Sequence, residues 1–115
     1  MRVQTVVSLK VNEKSWFVYL VESATGYIYC GCSNDVPRRV HEHNHTKKGA
    51  RALRGQRPVK LIWYAEVPEG KIVAHKLEWH LKRRVSAWKR KVVANSNPGV
   101  ETELLGFKCI PQAVG

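Results

Sequence analysis

Residues 29–43 constrain the fold of this chain most, because they change from strand to helix within a few positions. An aromatic, β-rich segment ends at Cys32. Residues 33–35 then offer side-chain oxygens that can cap a helix, and Pro37 suits a first helical turn, where its missing N–H is not needed. A short helix is therefore predicted from residue 35 to about residue 45.

Arg39 and His43 are four positions apart and should lie one above the other on a single face of that helix. Gly31 precedes them in the strand and leaves room beside its backbone for a ligand. A guanidinium and an imidazole held side by side after such a strand have the donors to contact a phosphate.

The composition predicts two strands, Trp16–Glu22 and 27–32, on either side of a turn that contains Gly26. A two-residue loop would pair Tyr19 with Cys30 and place Tyr19 and Tyr29 on opposite faces of the hairpin.

A three-residue loop with Gly26 as the bulge residue instead pairs Ser23 with Tyr27, and we favour it because it separates polar aromatic side chains from aliphatic ones. One face then carries Tyr19, Tyr27, Tyr29 and Gly31, and the other carries Val18, Leu20, Ile28 and Cys30. The phenols of Tyr19 and Tyr29 should therefore point outward beside Gly31.

Residues 59–67 alternate with period two and predict a third strand. Its predicted faces are Val59, Leu61, Trp63, Ala65 and Val67 on one side, and Lys60, Ile62, Tyr64 and Glu66 on the other.

From about residue 71 to residue 93 the period of the apolar residues changes to that of one long helix. Its apolar stripe is Val73, Leu77, Leu81, Val85, Trp88 and Val92, and its exposed basic face is Lys76, Lys82, Arg83, Arg84, Lys89, Arg90 and Lys91.

The sequence therefore predicts an α/β (α+β) fold with a small three-stranded antiparallel or mixed sheet flanked by helices, in the order β-β-α-β-α. Residues 1–94 form one domain with its core at 16–93, and residues 95–115 form a C-terminal extension of unknown role. The weak alternation from Val3 to Val11 fits a strand or a loose arm equally well.

The net charge of +11 is the strongest compositional signal. A surface with this much positive charge attracts polyanions, because binding releases their counterions. Nucleic acid is therefore the expected partner, and an anionic membrane surface is the alternative. No apolar run approaches the ~20 residues of a membrane span. The N-terminus lacks the apolar core of a signal peptide, which predicts a cytoplasmic protein.

Residues 46–58 carry five cations and no acid. A solvated connector would have the same composition, but so many uncompensated cations favour phosphate contact. The predicted DNA-binding residues are Lys47, Lys48, Arg51, Arg54 and Arg57, with Lys82 and Arg83 on the long helix.

Three cysteines do not form a disulfide framework and are expected to be reduced thiols. A zinc site could join Cys30 and Cys32 to the histidines at 41, 43 and 45. We disfavour it because residues two apart do not share a helical face, and the C-x-x-C spacing is missing.

Glu78 is the only acid in the predicted long helix. It lies about 100° round from Leu77, at the flank of the apolar stripe. An ion pair with Lys82, four residues later, would explain it without any function. A role as a metal ligand is the alternative.

Five fragments occur in a suggestive order: Val18-Tyr19, Tyr29-Cys30-Gly31, Arg39 eight residues after Gly31 with His43 beyond it, residues 49–58, and Leu77-Glu78-Trp79. Together they resemble the GIY-YIG endonuclease superfamily over roughly residues 16–93. The similarity is closest to its small single-domain bacterial members and to the nuclease domain of structure-specific endonucleases. Phe17 and Cys30 depart from the family's first and second motifs.

The resemblance implies hydrolysis of DNA phosphodiester bonds with one divalent metal, Mg²⁺ or Mn²⁺. It implies that Arg39 stabilises charge on the phosphate and that Glu78 holds the metal. Either Tyr19 or Tyr29 accepts the proton of the attacking water, and His43 orients a tyrosine or bonds a phosphate.

The sequence is also compatible with two other functions: a non-catalytic DNA- or RNA-binding module, and a protein that binds membrane surfaces. The expected biological setting of the nuclease is DNA repair or recombination. The chain has no room for a second domain that would confer specificity, so a partner protein or recognition of DNA shape would have to supply it.

Overall fold

The computed structural model of the protein describes residues 15–115. The alternative of a strand or an arm at 3–11 concerns residues outside this range. The elements are β1 (Trp16–Glu22), β2 (Ile28–Ser33), α1 (Val36–His45), a short 3₁₀ helix (Arg51–Gln56), β3 (Lys60–Val67), α2 (Lys71–Lys82), α3 (Ser86–Ala94), β4 (Thr102–Leu104) and β5 (Phe107–Pro111).

The strands form one antiparallel sheet in the order β2-β1-β3-β5-β4. The mixed α and β architecture is confirmed, but the prediction of three strands was wrong. Residues 95–115 supply the other two strands, because β5 pairs with β3 through Ala65–Pro111 and Glu66–Ile110. Cys109 of β5 is fully buried in the core, so the end of the chain extends the sheet.

The register of the first hairpin is the one that the three-residue loop predicts. Tyr19 lies opposite Gly31, and the Ser23 N–H donates to the Tyr27 carbonyl at 2.9 Å. Gly26 adopts φ +89°, a conformation that side chains disfavour. The predicted outward orientation of both phenols was wrong for Tyr19, which is only 1 % exposed.

The strict alternation predicted for the third strand was also wrong. A β-bulge opposite Leu20 and Val21 shifts the register, so that Leu20 pairs with Trp63 while Val21 pairs with Leu61. An extra residue moves the following side chains to the other face of a sheet. Consequently Leu61 packs on the α1 side and Trp63 packs on the α2 side.

The predicted long helix is two helices. α2 ends at Lys82, where Arg83 N–H and Arg84 N–H donate to carbonyls of its last turn, and Val85 is extended before α3 begins. The break changes the direction of the chain. Val85, predicted for the buried stripe, is therefore 71 % exposed, and Lys89, predicted for the exposed face, is only 6 % exposed.

Two apolar clusters cover the two faces of the sheet. One joins α2 to the aliphatic side of the hairpin, and its buried members are Val18, Leu20, Ile28, Cys30, Trp63, Ala65, Val67, Ala74, Leu77, Leu81 and Cys109. The other joins α1 and the 3₁₀ helix to the opposite face, and its buried members are Tyr19, Val21, Val36, Leu53 and Val59. In the described range, no helix has the length and apolar character needed to cross a membrane.

Candidate active site

The start of α1 sets the direction in which its side chains point. The Asp35 carboxylate accepts the Arg38 N–H at 3.1 Å, and Pro37 lies in the first turn. This cap is the one predicted from the sequence. It fixes the helix so that Arg39 and His43 approach β1 and β2.

His43 connects Tyr19 to the loop that follows α1. The Tyr19 hydroxyl lies 2.7 Å from His43 Nε2, and the Ala50 N–H donates to His43 Nδ1 at 3.0 Å. Because Nδ1 accepts from a backbone N–H, a neutral ring carries its proton on Nε2. His43 therefore donates to the oxygen of Tyr19, and the hydroxyl proton of Tyr19 is free to point elsewhere.

The pKa of His43 is lowered from 6.5 to about 4, first by burial and then by the nearby guanidiniums of Arg39 and Arg57, with Glu42 opposing. His43 is fully buried. The imidazole is consequently neutral at neutral pH, as its hydrogen bonds require.

This lowered pKa predicts a pH-dependent stability. The unfolded state binds the proton first, so stability is complete above about pH 6.5 and falls as the pH drops towards 4. Between about pH 7.5 and about pH 5 the loss from this residue should be on the order of 1–2 kcal/mol. Urea unfolding of the wild type and of His43→Gln at both pH values measures it.

The exposed His41 of the same helix offers a matched control. His41→Gln should keep the wild-type loss, whereas His43→Gln should lack it. An equal loss in all three proteins would show that other groups cause the pH dependence.

Gly31 makes the position of Tyr19 sterically feasible. A Cβ built on Gly31 would lie 2.3 Å from the Tyr19 hydroxyl oxygen and 2.5 Å from the ring carbon that bears it. The phenol thus lies directly across the glycine of the neighbouring strand. Burial raises the pKa of Tyr19 above its usual value; Tyr29 adds to this effect and Arg39 opposes it.

The guanidinium of Arg39 is fixed by two acceptors. Its Nη1 donates to Glu42 Oε1 at 2.9 Å and to the Lys48 carbonyl at 2.9 Å. Burial lowers the pKa of Arg39, but Glu42 and Tyr19 raise it by more, so the net shift is upward. Arg39 is therefore a permanent, oriented cation beside Tyr19.

Tyr29 lies between this group and α2. Its ring contacts His43 edge-on at a centroid distance of 5.5 Å, and Lys82 Nζ is 5.9 Å from its centroid. Burial raises the pKa of Tyr29 and the Glu78 carboxylate adds to the rise, while Lys82 and Arg39 oppose it. Charged groups of both helices therefore act on Tyr29, which lies on the edge strand β2 of the sheet.

Glu78 is largely buried, with 15 % of its side chain exposed. One carboxylate oxygen, Oε2, pairs with Lys82 Nζ at 3.0 Å, which is the ion pair that the sequence suggested. The other, Oε1, lies 3.3 Å from Cys32 Sγ and 3.5 Å from His75 Nδ1. The carboxylate therefore does not turn away into solvent, and its Oε1 lies in a group of metal-ligating atoms.

Sequence reasoning missed His75, and it considered Cys32 only with the wrong histidines. A signal was present, because His75 and Glu78 are three residues apart and share a face of α2. The third member, Cys32, comes from β2 and requires the tertiary fold. In the part of the chain that the structure describes, these three residues are the one group with potential metal-ligand geometry.

Comparison with known proteins places the chain in a family. The GIY-YIG catalytic domain family matches residues 15–91. The chain belongs to the GIY-YIG family. The resemblance noted in the sequence is thereby confirmed, and so is membership of a nuclease superfamily.

Similar proteins are small bacterial GIY-YIG proteins that carry only UPF0213 names. A UPF0213 protein of Vibrio cholerae is 44 % identical over 79 residues, which are 69 % of this chain and 77 % of the relative. One of Desulfotalea psychrophila is 38 % identical over 90 residues, 78 % of this chain and 81 % of the relative. The solution NMR structure of a UPF0213 protein from Bacillus halodurans has 31 % identity and a TM-score of 0.44, and it covers 70 % of this chain and 83 % of that one.

The cations predicted to contact DNA fall into two groups in this GIY-YIG domain. Lys47, Lys48, Arg51 and Arg54 are exposed around the 3₁₀ helix. Arg57 is partly buried and donates to the His43 carbonyl at 2.6 Å and to the Thr46 carbonyl, so it caps the C-terminus of α1.

The two predicted cations of the long helix lie at the end of α2 and just beyond it. Lys82 pairs with Glu78, and the Arg83 guanidinium stacks on the exposed Trp79 ring at 3.4 Å. Both side chains are exposed, so they remain accessible to a phosphate while they make these contacts.

The disfavoured zinc site does not form in the GIY-YIG domain. Cys30 is buried in the core, and burial raises its pKa to about 12. The His41 and His45 rings contact each other with centroids 4.7 Å apart, and His43 is occupied by Tyr19 and Ala50.

Proposed function

We propose that the protein is a divalent-metal-dependent endonuclease that hydrolyses DNA phosphodiester bonds and selects DNA by its structure. One observation carries this proposal. The Tyr19 hydroxyl oxygen accepts the Nε2–H of a neutral His43 at 2.7 Å, and it lies beside the fixed guanidinium of Arg39. Such a group can take a proton next to a site that binds a phosphate.

In this proposal Tyr19 accepts the proton of the attacking water. Burial keeps the resting phenol protonated, and the His43 N–H and the Arg39 cation are the two groups that make its phenolate accessible. Tyr29 is less buried and faces Lys82, so it is suited to donate its hydroxyl hydrogen to a phosphate oxygen. His43 acts through Tyr19 and is a positioning residue.

Arg39 stabilises the negative charge that gathers on the non-bridging oxygens of the attacked phosphate. It is held by Glu42 and by the Lys48 carbonyl before substrate arrives, so it need not reorganise during the reaction. The exposed cations around the 3₁₀ helix follow the DNA backbone, which gives affinity without reading the base sequence.

The donor chemistry at Glu78 fits a divalent cation. The carboxylate supplies one oxygen towards Cys32 and His75 and keeps the other on Lys82. An ion such as Mg²⁺ or Mn²⁺, when bound there, would stabilise the leaving 3′ oxygen as a Lewis acid. Lys82 limits the charge of the pocket and orients the carboxylate.

The test is cleavage of branched, flapped and linear DNA, analysed on a denaturing gel with Mg²⁺, with Mn²⁺ or with EDTA. We expect nicking that requires the ion and that favours one DNA structure. Glu78→Gln should abolish this nicking, because the amide keeps one oxygen but loses the charge that holds the metal.

Glu69→Gln is the matched control, since Glu69 is exposed in the turn before α2. It should cleave like the wild type. Tight, salt-sensitive DNA binding without nicks in any protein would instead indicate a binding module that has kept the fold.

A further inference from the structure

We propose that Cys32, His75 and Glu78 bind a thiophilic divalent ion of the zinc and cobalt class, with three protein ligands and one open position. The inference rests on the proposed function in one respect, because it concerns the carboxylate that would hold the catalytic ion. It goes further by naming two additional ligands and the class of metal that they select.

The first support is distance. Cys32 Sγ lies 3.3 Å from His75 Nδ1 and 3.3 Å from Glu78 Oε1, and the remaining edge, from His75 Nδ1 to Glu78 Oε1, is 3.5 Å. A tetrahedral zinc ion with ordinary bond lengths separates sulfur, nitrogen and oxygen ligands by roughly 3.4–3.6 Å. The three atoms therefore already form one face of such a tetrahedron to within a few tenths of an ångström.

The second support is the chemistry of the donors. Magnesium prefers oxygen ligands and keeps several waters, whereas a thiolate and an imidazole select zinc, cobalt and similar ions. Only one of the three donors here is an oxygen. Magnesium would bind only the Glu78 oxygen and keep most of its waters, whereas zinc or cobalt would bind all three donors.

The third support is how the ligands are held. His75 and Glu78 are one turn apart on α2, and Cys32 is on β2, so the three are fixed by two packed elements. The His75 ring packs on Trp16 with a centroid distance of 5.6 Å, which limits its rotation. Lys82 holds Oε2 at 3.0 Å and leaves Oε1 turned towards the other two ligands.

Binding replaces the Cys32 S–H contact to Glu78 with three bonds to the ion. The thiol gives its proton to the buffer as the Cys32 sulfur–metal bond forms, and no electron changes hands. His75 is half-exposed, so the fourth position faces solvent and can accept water or a phosphate oxygen.

The experiment is titration of the metal-free protein with Co²⁺, followed by the thiolate-to-cobalt charge-transfer absorption in the near ultraviolet. We expect one equivalent to produce the band and Zn²⁺ to abolish it, while Mg²⁺ in large excess leaves it in place. Cys32→Ser should remove the band. His75→Gln and Glu78→Gln each remove a direct ligand, so each should weaken cobalt binding by at least the roughly 10–100-fold that loss of a residue supporting a ligand costs.

Two controls keep the result specific. His80→Gln changes another exposed histidine of α2, and Cys109→Ala removes a thiol from the far strand β5; both should keep the band. Circular dichroism of each variant checks folding. X-ray absorption of the zinc form should show one sulfur neighbour at about 2.3 Å.

A band that survives Cys32→Ser, or a zinc shell with only nitrogen and oxygen, would overturn the inference. The outcome is separate from that of the nuclease proposal. A cobalt band in a protein that never cuts DNA supports the metal site alone, and cutting with Mg²⁺ without any band supports the nuclease alone.

Discussion

Arg39→Ala should reduce DNA cleavage on the order of a thousandfold while DNA affinity changes little. The reason is that the guanidinium is aligned by Glu42 and by the Lys48 carbonyl beside Tyr19, where charge would develop on the phosphate. A fixed cation at such a position contributes most in the transition state. Single-turnover cleavage and filter binding on the same DNA measure the two effects separately.

Arg38→Ala is the matched control. Arg38 is the neighbouring residue on α1 and is more exposed, and its ion pair with Glu42 is longer, at 3.8 Å. It should cleave within about threefold of the wild type, as expected for a surface cation. If Arg39→Ala lost binding and cleavage in the same proportion, Arg39 would be only a phosphate anchor.

Gly31→Ala should lower both activity and stability. The new methyl group would lie 2.3 Å from the Tyr19 hydroxyl oxygen, so that the phenol must move by about 1 Å to reach ordinary contact. That movement breaks the 2.7 Å bond to His43 in a packed core. We expect a loss of about 1–3 kcal/mol in unfolding free energy and on the order of a thousandfold in cleavage rate, because a displaced catalytic group is costly.

Gly55→Ala tests whether the effect comes from this contact. Gly55 lies in the 3₁₀ helix, where an added Cβ would meet nothing within 4 Å. This variant should unfold and cleave like the wild type or be slightly more stable. A Gly31→Ala protein with full activity would mean that the position of Tyr19 is not important for the reaction.

Much of the site was predictable because its parts are encoded locally. Asp35 and Pro37 start α1 and so place Arg39 and His43 on one face. The preference for separating aromatic from aliphatic side chains gave the correct hairpin register, in which Tyr19 faces Gly31. Each of these inferences needs residues only a few positions apart.

The errors have a common physical origin in packing between distant segments. The bulge in β3 depends on how it pairs with β1, and the break after α2 turns Val85 into solvent and Lys89 inward. Periodicity assumes regular elements and cannot detect one inserted residue or a single turn. The two strands of the last hairpin were missed for a related reason, since they gain their buried surface only against β3.

The sequence by itself determined the order of β1, β2, α1 and β3, the N-terminal cap of α1, the register of the first hairpin and the residues that resemble the family's motifs. Only the tertiary structure decided that Tyr19 is buried against His43, 24 positions away, and that Cys32 meets Glu78, 46 positions away. Local conformational preferences act between near neighbours in the chain. Contacts between distant residues exist only once the sheet and helices have packed, because packing fixes which side chains share a pocket.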